Sequence, residues 1–294
     1  MKELLKREIR RDGYDILRSA GLMLIIPFVL IILQILFADK MHQLCEVVCT
    51  LPEPAGLLFR PKNTIFMTDY AVLLSVVIMI CNFVIVWNAC QNTVYIMNAD
   101  EENGTIFYMC NQMYAKRDFA RAKYVYSVMH FALTYGIWYV GMIVFAMVSN
   151  IAVEKPLLTG VVDMFGDMLM GVLVGILFVS LTFLYVVWTE IREDESYSFY
   201  IGAILVGTVV LANFSKVVDI IVWIMDNRGV GVAGLEAAAG KLEMFKVISP
   251  LSWINPFVKM TAVSVITYVA VVVVMSVASY VIGVKRYEKR NLIY

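Results

Sequence analysis

Six long stretches of this chain carry almost no charge: Ser19–Ala38, Tyr70–Ala99, Tyr124–Val153, Met168–Thr189, Ser196–Ser215 and Thr261–Val284. Each reaches the roughly 20 apolar residues that a helix needs to cross about 30 Å of hydrocarbon. Shorter polar segments separate them. The pattern predicts an all-α integral membrane protein, a single transmembrane domain over residues 1–294 with six spans.

The polar segments differ in kind. Residues 1–18 place Leu5, Ile9, Gly13, Ile16 and Leu17 on one helical face and Arg7, Arg11 and Arg18 opposite, which suits an interfacial helix in the inner headgroup layer. Lys6 interrupts the apolar stripe. Residues 216–260 are long, moderately charged and rich in Gly and Ala, and they end near Pro250 and Pro256. Short external re-entrant helices, buried against other spans, are expected there.

The second apolar run is longer than a bilayer requires, about 45 Å as a helix. Near its end Asn88, Gln91, Asn92 and Tyr95 recur at i, i+3, i+4 and i+7, one polar helical face. Two readings are open: the face lines an aqueous translocation-path entrance, or that part of the helix has left the bilayer and is solvated.

Composition supports the membrane class. Charged residues make up 16%, against about 25% in soluble domains. Formal net charge is zero, so no overall field draws nucleic acid. With the N-terminus inside, fifteen of the 24 Lys and Arg fall on cytoplasmic segments, so both termini are expected in the cytoplasm. The first run is a full span with no small-x-small site before Asp39, which argues against a cleaved signal peptide. Of the five cysteines, Cys45 and Cys49 follow His42 outside; two small apolar residues on a helical face is favoured over a metal site or a disulfide.

Catalytic chemistry is missing. His42 and His130 lie on different segments, and no HExxH, GxSxG or CxxC pattern occurs. "GLEAAAGKL" imitates a phosphate loop, but five residues separate Gly234 from Gly240 and Leu242 replaces the Mg²⁺-binding hydroxyl. No span carries Asp, Glu, Lys or Arg in its middle, unlike carriers that move protons or Na⁺. His130 is expected to be a helix-packing residue.

The most elaborate polar segment is 98–123. Asp100, Glu101 and Glu102 follow the end of a span, Asn103-Gly104 is a turn dipeptide, and Thr105 can N-cap a short helix. On that helix Ile106, Met109, Cys110 and Met113 form an apolar stripe that fits a partner's groove. Lys116, Arg117, Arg121 and Lys123 then meet anionic headgroups.

This segment resembles the intracellular coupling loop of ABC-2-type permeases, the membrane subunits of ATP-driven exporters. That family carries an acidic-Asn-Gly-Thr-Ile run, Leu-rich positions, Pro-x-x-Arg, and a Lys seven residues on. Glu102-Asn103-Gly104-Thr105-Ile106 matches the first part and Lys123 the last; Lys116 stands at the Arg position and Met113 at the Pro position. "ISPLSWINPF" (Ile248–Phe257) and "VKRYEKRNL" (Val284–Leu292) are similar to the family's stretch before its last span and its basic tail. The resemblance implies a half-exporter: two permease chains forming the pore, an ATPase chain docked on each coupling helix, and ATP and Mg²⁺ bound only by that partner. Glu101 through Ile106, with Met109, Met113 and Lys116, would couple the ATPase to the pore. A hydrophobic or amphipathic cargo is expected, such as an antimicrobial or toxin-like peptide. A non-transporting immunity or sensor subunit of the same fold is the alternative, and a secondary transporter a weaker one.

Overall fold

The computed structural model describes residues 2–49, 71–102, 115–152, 161–189 and 262–289, with Gly202 and Trp223. They form five helices: α1 (Lys2–Cys49), α2 (Ala71–Glu102), α3 (Lys116–Ala152), α4 (Val161–Thr189) and α5 (Ala262–Lys289). Four of these are long and apolar enough to cross a membrane, within Lys2–Phe37, Lys116–Phe145, Gly171–Thr189 and Val269–Lys289. They cover the first, third, fourth and sixth apolar runs. The second run is also one continuous helix, α2, whose described half is diluted by Asn82, Asn88, Gln91 and Asn92. Apart from Gly202, the fifth run lies outside the described residues, as does 216–260 apart from Trp223.

Helix α3 is the hub. It packs along α1 and also touches α2, α4 and α5, while α5 lies mainly on α4. Pairwise registers fix the directions. Asp15 of α1 acts on His130 of α3, and Leu24 and Pro27 sit over Gly141, so α1 and α3 run parallel. Ser19 meets Asn88, and Arg11 meets Asp100, making α2 antiparallel to α1. Helices α3 and α4 are antiparallel, with Phe131 against Gly175 and Tyr135 against Gly171. Helices α4 and α5 are parallel, with Phe183 against Gly283 and Trp188 under the Arg286 guanidinium at 5.6 Å. The N-termini of α1 and α3 and the C-termini of α2, α4 and α5 therefore share one end of the bundle, the end rich in charge.

The α3–α4 seam has a simple sequence cause. "GVLVG", Gly171 to Gly175, puts two missing side chains on one face of α4, and the rings of Phe131 and Tyr135 fill the notch. Small residues four apart allow such close approach between helices in lipid. Phe131 and Tyr135 are buried, and Tyr124 extends the seam with a 2.8 Å hydroxyl contact to Ser180 and ring contacts to Phe183 and Tyr280.

Two sequence expectations are corrected. Residues 1–18 are not a separate element but the foot of one helix that stays regular until Phe37 (φ −134°, ψ 30°). Its inward face mixes apolar and acidic residues, with Leu4, Glu8, Asp12, Ile16 and Ala20 buried, whereas Ile9 and Leu17 are 41% and 70% exposed. The buried Lys123 ammonium acts on Glu8 from the inside, and lipid can solvate the apolar residues outside. Finally, the loop expected over 98–123 is shorter. Residues 98–102 continue α2, and α3 already starts at Lys116, its first turn accepted by the Ala115 carbonyl.

Candidate functional site

At the charged end, three helices meet in a buried ion network. Asp100 near the end of α2 and Lys123 on the second turn of α3 are both almost fully buried, with Lys123 Nζ 3.0 Å from Asp100 Oδ2. The same ammonium donates to the Ile96 and Met97 carbonyls at 2.6 and 3.1 Å, where the backbone dipoles of α2 present negative charge. From α1, Arg7 pairs with Asp100 Oδ1, and Arg11 reaches it at 3.0 Å. Arg11 also binds Glu8 at 2.7 Å and Asp12 at 2.8 Å. Burial by itself would raise the Asp100 carboxyl; the Lys123 ammonium, with Arg7 and Arg11, outweighs it and holds the group below the ordinary carboxylate range.

Lys123 was expected to face headgroups. It turns inward instead, because the end of α2 offers it a carboxylate and two carbonyls. Arg121 keeps a partly exposed position, 3.7 Å from Asp118.

One to two turns deeper, the same three helices part around a cleft of about 410 Å³. Helix α2 supplies one wall with Asn88, Gln91, Asn92 and Tyr95, so the four residues whose spacing suggested an entrance do line one cavity. Helix α1 supplies the other with Asp15, Arg18, Ser19, Leu22 and Met23. The Asn88 amide reaches the Ser19 hydroxyl at 3.4 Å and closes one rim. His130 of α3 forms part of the lining, and its side chain is 2% exposed. Neither ring nitrogen makes a hydrogen bond by geometry, although the Asp15 backbone lies beside the ring and Asp15 and Asp12 supply the nearby negative charge. His130 is thus a buried helix-packing residue that also borders the cleft.

The coupling residues are only partly placed. Glu101 and Glu102 form the last backbone turn of α2, and Lys116 opens α3. Asn103, Gly104, Thr105, Ile106, Met109 and Met113 lie outside the described residues. Sequence reading missed the role of Glu8, Asp12 and Asp100 in the ion network. The signal was present in the i, i+4 spacing of Glu8 and Asp12, but a helical wheel cannot tell which face meets cations. Among the described residues no group of His, Cys, Asp and Glu could hold a metal ion.

In comparison with known proteins, the chain matches no family model, no curated protein and no solved structure.

Proposed function

We propose that this chain is the membrane-spanning permease subunit of an ATP-driven exporter, working as a pair of copies with a separate ATPase docked on each. Hydrophobic or amphipathic cargo enters at the cleft between α1, α2 and α3. The observation that carries the reading is the stacking of two polar features on the same three helices. The ion network clamps both ends of the 103–115 segment, and the cleft opens one to two turns further along. A push on that segment would reach the cleft through short stretches of rigid helix.

Two further observations support the six-span permease plan. Helix α4 ends at the charged end of the bundle and α5 begins at the opposite end, so a crossing by Ser196–Ser215 completes the topology. Gly202, inside that run, is helical and abuts the ring of Trp87 on α2. The permease assignment itself rests on the resemblance of the 98–123 segment, with "ISPLSWINPF" and the basic tail in matching order.

The test is capture of an ATPase encoded beside this chain. Charge at Ile106 would put an unpaired ion into the partner's apolar groove, and a β-branched residue at Gly104 would disfavour the turn expected from the Asn103-Gly104 dipeptide. Ile106→Asp and Gly104→Val should leave the chain inserted while cutting co-purification of the ATPase at least severalfold. Normal capture together with normal export in both variants would overturn the reading.

A further inference from the structure

We infer that the cleft between α1, α2 and α3 is a binding site for the headgroup of a zwitterionic phospholipid, with its acyl chain lying along the outer face of α1. The inference deepens the permease reading by naming the class of molecule at its entrance. It rests on that reading for the transport step only; binding itself needs no ATPase.

The charges come in a fitted pair. Asp15 and Arg18 are three residues apart on α1, hence on one side of the helix, and both are exposed at the cleft. A head carrying one phosphate and one ammonium meets a guanidinium and a carboxylate across that span, each contact charge-assisted. The facing wall offers Asn88, Asn92 and Tyr95, groups that both donate and accept and so suit phosphate and ester oxygens as well as N–H donors. At the third helix stands His130, 98% buried, beside the Asp15 backbone and on the wall of the cleft. The volume, about 410 Å³, lies within the roughly 300–1,000 Å³ typical of small-ligand clefts.

The rim decides between a lipid and a free head. Leu22, 54% exposed, lines the cleft and begins an outward apolar stripe that continues through Ile25 (54%), Val29 (43%) and Ile32 (41%). This stripe belongs to the part of α1 long and apolar enough to cross a membrane. A polar cleft that opens onto a strip of apolar surface matches a molecule with a charged head and a hydrocarbon tail. A peptide would leave one of these two surfaces unused over much of its length.

The experiment titrates the purified full chain in detergent with single-chain lipids of one acyl length and follows bound copies by native mass spectrometry. The probes are lysophosphatidylethanolamine, the anionic lysophosphatidylglycerol, neutral monoacylglycerol and free phosphoethanolamine, with an amphipathic cationic peptide as competitor. Expected is one tightly bound lysophosphatidylethanolamine, at least tenfold weaker binding of the other three probes, and no displacement by the peptide. Arg18→Gln and Asn92→Leu should each weaken the zwitterion about tenfold or more without changing the melting temperature by more than a few degrees. Arg18 is exposed, so its variant remains informative if Asn92→Leu does not fold. Equal binding of the neutral or anionic lipid, free phosphoethanolamine binding as tightly, displacement by the peptide, or indifference to Arg18→Gln would each overturn the site. None of these outcomes bears on ATPase capture, so the two proposals fail separately.

Discussion

The Lys123 ammonium of α3 lies 3.0 Å from the Asp100 carboxylate of α2, and both side chains are at most 2% exposed. The pair joins the two helices on either side of the 103–115 segment, and Arg7 and Arg11 tie the N-terminal foot of α1 to the same carboxylate. Helices α2 and α3 and the N-terminal foot of α1 are therefore held at one carboxyl group. A hinge at this place would have to break several charge contacts at once.

Breaking the pair from one side should be costly. Lys123→Met takes from Asp100 its buried cation and strips the Ile96 and Met97 carbonyls of a donor, a loss of about 3–5 kcal/mol for a buried pair. Combining it with Asp100→Leu should cost less than the sum of the single changes by about 1–3 kcal/mol, since the second substitution removes the stranded charge. A double-mutant cycle by chemical unfolding in detergent measures this directly. Strict additivity would mean that the two groups are independent.

Acid should act through the same carboxylate. The folded-state value of Asp100 is lowered, so its contribution is complete above the unfolded value, about 3.9. That contribution is lost as pH falls through the lower folded value. Melting temperatures taken from pH 7 to pH 2.5 should decline most steeply below about pH 4, and Asp100→Asn should flatten that limb while lowering stability at pH 7. An unchanged acid limb in the variant would assign it to other groups.

The notch on α4 gives a packing test with its own control. A Cβ on Gly175 would overlap the Phe131 ring, whereas Gly136 of α3 has open space around it. Gly175→Leu should destabilise by about 1–3 kcal/mol through overpacking, with partial recovery when Phe131→Ala is added. Gly136→Ala should instead be neutral or stabilising by up to about 1 kcal/mol, because it removes helix-interior glycine entropy. Thermal unfolding of the three variants separates these outcomes.

Thiol labelling reads the orientation of the bundle. Cys81 and Cys90 are buried and should stay unmodified in the folded protein. With both termini inside, Cys45 should react with an impermeant maleimide in intact cells and Cys110 only after the inner face is opened. Labelling of Cys110 from outside would invert the proposed topology.

What the sequence made legible follows from which forces were local. Length and apolarity are properties of single segments, so α1, α3, α4 and α5 could be placed from their hydrophobic runs. The polar face of α2 could be read because Asn88, Gln91, Asn92 and Tyr95 share one helix, and the four do line a single cleft. The other wall was hidden, since Asp15 and Arg18 belong to a helix whose rotation is decided by tertiary partners. For the same reason residues 1–18 read as an interfacial helix, and the inward position of Glu8 and Asp12 could not be seen in them. In water the apolar side would be buried; beside lipid, Glu8 can turn inward, where the Lys123 ammonium of α3 acts on it. Lys123 was read as a surface charge because nothing in its neighbours announces the end of another helix 27 residues upstream at Ile96.

The unbroken course of α1 from Lys2 to Phe37 has a consequence for how this segment can vary. Ion network, cleft wall and the seat of Pro27 on Gly141 are three stations on one screw, each set by the angle at which the helix leaves the one before. At 3.6 residues per turn, inserting or deleting a single residue between Asp12 and Asp15 would turn everything beyond it by about 100°. Arg18 would leave the cleft and Pro27 would swing off its glycine, although no side chain in any station had been altered. Many point changes along the lipid face should be silent, while the spacing between stations admits almost no change in length.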